Sequence, residues 1–66
     1  MTLTVNGEMR SFDGLADVAS LVAALGLDPK KVAVERNLEI VPRSAYGRTP
    51  LAEGDRIEIV HFIGGG

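Results

Sequence analysis

Apolar and polar residues alternate at the beginning of the chain, which is the pattern of half-buried β-strands. Two such stretches, residues 2–5 and 10–12, flank Asn6-Gly7. Asn-Gly is the strongest short signal for a β-hairpin, because both residues tolerate a positive φ angle. Whether the loop has two or four residues, one face of this hairpin carries the apolar side chains of Leu3, Val5 and Phe12. We predict that this face lies against the core.

The apolar residues that follow recur with the spacing of an amphipathic helix. Positions i, i+3, i+4 and i+7 are occupied by Val18, Leu21, Val22 and Leu25. Gly26 is suited to end the helix in a left-handed conformation, with Leu27 folding back onto the last turns. The beginning leaves two candidates for the N-cap, Asp13 and Ala16.

Three shorter apolar segments complete the pattern. Residues 32–37, 40–41 and 57–60 are rich in β-branched residues and are predicted strands. Residues 43–50 show no period, and we expect Tyr46 to anchor them against the core. A hairpin, a helix, two short strands and a last strand follow the plan of a β-grasp. We predict an α+β fold, with a mixed sheet of four to five strands crossed by one helix. An open α+β sheet of another topology is the alternative.

Composition bounds the function. The chain has 66 residues, 45% of them hydrophobic, and a net charge of -2. These values predict one small globular domain, monomeric when free, without nucleic acid as a partner. The absence of cysteine removes disulfides, thiol nucleophiles and thiolate metal ligands. With one histidine and no paired acidic motif, we expect no metal site and no catalytic residues, hence a domain that is not an enzyme. No apolar run is long enough for a membrane span, so we expect a cytoplasmic domain.

The last predicted strand leads into a run of glycines. We predict a β-grasp domain over residues 1–63 and a flexible tail over residues 64–66. Glycine has no side chain to pack and loses much backbone freedom on ordering. A strand that is followed directly by Gly64, Gly65 and Gly66 therefore suggests a terminal carboxyl group presented to another protein. An incidental tail or a cloning scar is the alternative.

Strand alternation also predicts a surface beside the tail. Ile57 and Ile59 face the core, which leaves Val60 and Phe62 on the opposite face. An exposed apolar patch marks an interaction surface. We therefore predict that Val60, Phe62 and Ile63 bind partner proteins. The alternative for Phe62 is that its ring folds back over the edge of the core.

Four segments carry a resemblance to a known family. They are the Val-Asn-Gly-Glu run at 5–8, Val-Glu-Arg-Asn at 34–37, Ile-Val-Pro-Arg-Ser at 40–44, and Gly-Asp-Arg-Ile-Glu-Ile-Val at 54–60 continuing to the glycines. Together with the helix they cover nearly the whole chain. The chain resembles the ubiquitin-like sulfur carrier proteins of thiamine biosynthesis, the ThiS family. The Gly-Gly end alone is shared with ubiquitin and with the small subunit of molybdopterin synthase. One departure is Leu38, where the family often has a small or polar residue.

The resemblance implies a specific chemistry. In this family a ubiquitin-activating-like adenylyltransferase uses ATP to adenylate the C-terminal carboxylate, here that of Gly66. A sulfur donor then converts it to a thiocarboxylate, from which thiazole synthase takes the sulfur. Gly64, Gly65 and Gly66 would enter the partner active sites, and the chain itself would bind no cofactor. The alternatives are a sulfur carrier for molybdopterin, a ubiquitin-like protein modifier, and a β-grasp binding module with an inert tail.

Overall fold

The computed structural model of this chain describes residues 1–62. One α-helix and five strands are joined by loops and by two 3-10 turns, Pro29–Lys31 and Arg43–Arg48. The bounds are β1 Thr2–Val5, β2 Glu8–Ser11, α1 Val18–Ala24, β3 Val32–Arg36, β4 Glu39–Val41 and β5 Arg56–His61. The predicted tail residues Gly64, Gly65 and Gly66, together with Ile63, lie outside the described residues.

The first hairpin has a two-residue loop. Val5 pairs with Glu8 across the hairpin, and the loop residues Asn6 and Gly7 have φ angles of 50° and 82°. Positive φ at both loop positions matches the twist of the flanking strands, which is why Asn-Gly is favoured there. Strand β2 ends before Phe12, but Phe12 still packs against the core as a partly buried residue.

The strands form one mixed sheet in the order β2-β1-β5-β3-β4. Strands β1 and β5 are parallel, whereas β3 is antiparallel to both β4 and β5. A parallel pair needs a long crossover connection, and α1 lies in the segment that joins β1 to β5. This is the predicted β-grasp, and its five strands are the upper number of the prediction.

The core lies between one face of the sheet and the helix. Val18, Leu21 and Val22 of α1 are buried, as the apolar spacing predicts. They form one cluster with the inward residues of the strands and two loop residues: Leu3, Val5, Val32, Val34, Val41, Tyr46, Leu51, Ile57 and Ile59. The opposite face of the sheet is not covered by any element of residues 1–62.

The sequence predicted one end of α1 correctly and the other wrongly. The N-cap is Asp17, so the prediction of Asp13 or Ala16 was wrong. Asp17 has extended backbone angles, its carboxylate accepts the Ser20 N–H at 2.8 Å, and the Ser20 hydroxyl accepts the Asp17 N–H at 3.1 Å. This reciprocal pair satisfies two donors that a helix leaves unpaired at its first turn. The predicted C-terminal end is confirmed, since Gly26 has a φ of 72° and the Leu27 N–H bonds to the Val22 carbonyl at 3.1 Å.

The segment without a period contains the 3-10 turn Arg43–Arg48. Such turns are too short to show a hydrophobic repeat, which is why the pattern did not predict it. Tyr46 is buried, and its hydroxyl donates to the Val32 carbonyl at 3.3 Å. The predicted role of Tyr46 as an anchor is confirmed.

Candidate functional site at the end of the last strand

Strand β5 lies in the middle of the sheet and leads to the end of the chain. Ile57 and Ile59 point into the core, with exposed fractions of 0% and 8%. Backbone pairing with the β3 side continues to the end of the described residues, where the Phe62 N–H donates to the Lys31 carbonyl at 2.9 Å. The end of the described part of the chain is therefore held by the sheet.

The side chain of Asn6 holds the other side of β5. Backbone bonding between β1 and β5 ends with the Asn6 N–H, which donates to the Ile57 carbonyl at 2.9 Å, because the chain then turns into the hairpin. The Asn6 side-chain amide continues the ladder: its Nδ2 donates to the Ile59 carbonyl at 3.2 Å, and its Oδ1 accepts the Ile59 N–H at 2.7 Å. An amide side chain has the donor and acceptor of a peptide group. We call this pair of bonds the Asn6 clamp.

Alternation along β5 places the predicted partner-binding residues on the uncovered face. Val60 is 61% exposed and Phe62 is 50% exposed. Phe62 is neither in the core cluster nor among the partly buried residues packed against it, which favours the outward position over the alternative that its ring folds back over the edge of the core. The role of Val60 and Phe62 in binding stays a prediction, and Ile63 lies outside the described residues.

Sequence reasoning missed two further exposed apolar residues on this side of the domain. Ile40 in β4 and Leu38 in the β3–β4 turn are each 76% exposed. Leu38 has a φ of 72°, a conformation that is costly for a residue with a branched side chain. The alternation of Ile40 with the buried Val41 was the signal that identifies the outward position.

A buried carboxylate organises the opposite end of β5. Asp55 is 7% exposed and accepts hydrogen bonds from Arg36 Nε at 2.8 Å, Asn37 Nδ2 at 3.0 Å and the Ala52 N–H at 2.8 Å. Burial opposes ionisation, but the bonds from Asn37, Ala52 and Arg36 outweigh it, so the pKa of Asp55 is lowered. Sequence reasoning assigned residues 53–55 only to a turn and missed this network.

Asn37 joins the same network to the backbone of β5. Its N–H donates to the Arg56 carbonyl at 2.8 Å, and its Oδ1 accepts the Arg56 N–H at 2.9 Å. The Val-Glu-Arg-Asn and Gly-Asp segments thus meet through Arg36, Asn37 and Asp55. Their role is structural, because they lock the beginning of β5 to the β3–β4 turn, away from the chain end.

Two further classes of site are absent from the described part of the chain. Residues 1–62 contain no group of three or more side chains able to hold a metal ion. No helix among them is long and apolar enough to cross a membrane.

The fold defines a class. A five-stranded mixed sheet in this order, crossed by one helix, is the fold of a ubiquitin-like β-grasp domain. The family model described as "ThiS family" matches residues 3–66. The chain belongs to the ThiS family.

Solved structures and relatives agree with this membership. The crystal structure of the thiamine biosynthesis protein ThiS from Geobacter metallireducens is 39% identical to this chain, with a TM-score of 0.85 and coverage of 100% of both chains. The sulfur carrier protein ThiS of Bacillus subtilis is 47% identical over 49 residues, which are 74% of each chain.

Longer relatives contain a domain like this chain as one part. The thiazole synthase of Paramagnetospirillum magneticum is 54% identical over 66 residues, and that of Magnetococcus marinus is 47% identical over 66 residues. The chain spans 20% of the length of each of these proteins.

The resemblance and the fold predicted from the sequence are confirmed by these matches. The function that goes with the family is that of a sulfur carrier in thiamine biosynthesis, a carrier protein and not a catalyst.

Proposed function

We propose that this chain carries sulfur as a thiocarboxylate on Gly66 and donates it to thiazole synthase in thiamine biosynthesis. The observation that carries the proposal is the match to the ThiS family, which extends over residues 3–66 and so includes Gly64, Gly65 and Gly66. The three glycines would enter the active sites of the partner enzymes.

The chemistry proceeds in two substitutions. The carboxylate oxygen of Gly66 attacks the α-phosphorus of ATP, and pyrophosphate leaves. Hydrosulfide supplied by a donor then attacks the carbonyl carbon of the acyl adenylate, AMP leaves, and the thiocarboxylate remains. Since glycine has no Cβ, this carbonyl carbon is open to attack within a narrow channel. ATP and the sulfur donor are bound by the partner, and this chain contributes the acceptor carboxylate.

The geometry of β5 supports a docking site beside the chain end. Phe62 is paired with the sheet, and the four residues after it span at most about 14 Å when fully extended. A partner active site must therefore approach within that distance of Phe62. We expect Val60, Phe62 and Ile63 to contact the rim of such a site.

Two partners follow from the proposal. The first is a ubiquitin-activating-like adenylyltransferase, which performs the ATP-dependent step. The second is thiazole synthase, supported by the two longer relatives of that name. Because ATP is a cytoplasmic substrate, we place the carrier in the cytoplasm.

An exchange assay tests the first step. With the adenylyltransferase and ATP, we expect exchange of labelled pyrophosphate into ATP only when the chain is present. Deleting Gly66, or adding one residue after it, moves the carboxyl carbon by roughly 3.5 Å. Since reacting atoms must be held about 3–3.5 Å apart, both changes should abolish exchange while the melting temperature stays unchanged. Normal exchange with an extended tail contradicts the proposal.

A further inference from the structure

A groove lies on the helix side of the domain, between α1 and the two 3-10 turns. We call it the α1 groove, and its volume is about 310 Å³. Its lining includes the buried Val22 and Tyr46, the partly buried Leu27 and the exposed Ala23. Sites for small molecules are mostly apolar concavities of about 300–1,000 Å³ with a few polar groups. The α1 groove therefore has the size and the apolar lining of a site for a small ligand.

Helix α1 gives this groove an uncharged wall. Its sequence, Val-Ala-Ser-Leu-Val-Ala-Ala, contains no charged residue, whereas a surface helix usually presents charged and polar residues to solvent. Ala23 and Ala24 are exposed, and alanine is too short to cover the apolar residues beside it. An apolar group that enters the groove removes this surface from water, which favours binding.

Two bases supply the polar part of the lining. Lys30 and Arg43 line the groove, and no acidic residue of the described chain does. Among residues 1–62 the ion pair joins Arg36 to Asp55, so neither base of the groove is neutralised by a carboxylate. Asp28 precedes this turn, and its carboxylate accepts the backbone N–H of Lys30 at 2.9 Å as the cap of the turn. The groove therefore favours a ligand with negative charge.

The side chain of Arg43 is already held in place. Its Nε donates to the Pro29 carbonyl at 3.2 Å, and its Nη2 donates to the Lys30 carbonyl at 3.2 Å. These bonds tie one 3-10 turn to the other at the groove. A guanidinium has five N–H donors, so three remain for a ligand. A side chain that is ordered before binding loses less conformational entropy when the ligand arrives.

The α1 groove is separate from the candidate site at the end of β5. Lys31 connects the two regions, because its carbonyl accepts the Phe62 N–H at 2.9 Å. The exposed side chains of Val60 and Phe62, however, lie on the uncovered face of the sheet. A molecule bound in the α1 groove therefore leaves the predicted partner-binding residues free.

We propose that the α1 groove binds a small organic anion, with an apolar body of one or two aromatic rings and one phosphate or carboxylate group. The apolar body lies against Ala23, Leu27 and Tyr46, and the anionic group lies between Lys30 and Arg43. This function as a ligand-binding domain goes beyond sulfur transfer and uses none of the residues of the chain end.

Titration of the full chain with 1-naphthyl phosphate, followed by the backbone amide signals in NMR spectra, tests the proposal. We expect saturable shifts in residues 19–31 and 43–46, with a dissociation constant of about 1 mM or lower. Neutral 1-naphthol and inorganic phosphate each supply only one half of the ligand, so each should bind about tenfold more weakly. Comparison with 1-naphthoate shows whether the preferred anionic group is a phosphate or a carboxylate.

Matched variants locate the site. Ala23→Gln places a longer side chain in the groove, whereas Ala24→Gln changes an exposed alanine of the same helix that does not line it. Glutamine is a good helix former, so we expect both variants to melt close to the wild type. Ala23→Gln should weaken the binding of 1-naphthyl phosphate about tenfold or more, and Ala24→Gln should leave it unchanged.

A second pair of variants tests the charge. Lys30→Gln should weaken binding about fivefold at low salt, and this loss should diminish as salt is added. Lys31→Gln is the control, because Lys31 belongs to the same turn but does not line the groove. Three results overturn the proposal: no saturation up to about 10 mM ligand, equal affinity for 1-naphthol, or equal losses in the Ala23 and Ala24 variants.

Discussion

Removal of the Asn6 clamp tests how the last strand is held. Asn6→Gly eliminates both side-chain bonds to Ile59 and keeps a residue that adopts the observed φ of 50° without strain. Each hydrogen bond contributes about 1 kcal/mol net, and the new glycine adds roughly 0.4–1 kcal/mol through the entropy of the unfolded chain. We expect the free energy of unfolding to fall by about 2.5–3 kcal/mol.

That loss is large for a domain of 66 residues. Proteins have about 0.05–0.15 kcal/mol of stability per residue, which here amounts to roughly 3–10 kcal/mol. At about 4–8 °C per kcal/mol for domains of this size, the melting temperature should fall by roughly 10–24 °C. Circular dichroism gives the melting temperature, and hydrogen exchange gives the protection of the Ile59 amide, which should decrease.

Leu38→Gly is the matched control for the Asn6 clamp. Leu38 also occupies a hairpin turn with positive φ, at 72°, but its side chain is 76% exposed. Glycine there relieves a strained conformation, so we expect the melting temperature to stay the same or rise. Equal effects of the two glycine substitutions, or a protected Ile59 amide in Asn6→Gly, would refute the role of the side-chain amide.

Two further predictions concern the buried carboxylate and the patch. Because the pKa of Asp55 in the folded chain lies below its ordinary value of 3.8, its contribution to stability is complete above that pH and is lost as the pH falls through the folded pKa. Acid should therefore lower the melting temperature of Asp55→Asn less than that of the wild type. Melting temperatures of the two proteins that fall in parallel with pH would contradict this prediction. A partner that covers the exposed half of Phe62 buries apolar surface on the order of 100 Å². At about 25 cal/mol per Å², this burial contributes about 2.5 kcal/mol to the binding free energy. We therefore expect Phe62→Ala to weaken partner binding roughly 60-fold. Its melting temperature should fall less than that of Ile57→Ala, a fully buried control; the reverse order with normal binding would place Phe62 in the core.

Local signals predicted the frame of this fold well. The Asn-Gly pair and the Gly26 position each require a backbone conformation that few residues adopt, so the residue type itself identifies the turn or helix end. The apolar spacing of α1 and the alternation of β5 are equally direct, since both depend only on which side chains reach the core.

Contacts between distant segments were not predictable in the same way. The Asn6 clamp joins residues 53 positions apart, and the Asp55 network brings Arg36 and Asn37 to a turn 18–19 positions later. Nothing local distinguishes these side chains from ordinary turn residues.

The N-cap was missed because Asp17 is followed three positions later by Ser20, not by the glutamate or glutamine of the usual capping box. The α1 groove depends on how the two 3-10 turns pack beside the helix, which only the assembled fold defines.

The intact mass of the chain after reaction tests the sulfur-carrier account most directly. The wild-type chain is incubated with the adenylyltransferase, ATP and a sulfur source, and a sample without ATP and a chain lacking Gly66 serve as controls. The account predicts a mass gain equal to the exchange of one oxygen for one sulfur, located at Gly66 by fragmentation and absent from both controls. An unchanged mass under conditions that support pyrophosphate exchange, or high-mass adducts with other proteins in its place, would contradict it.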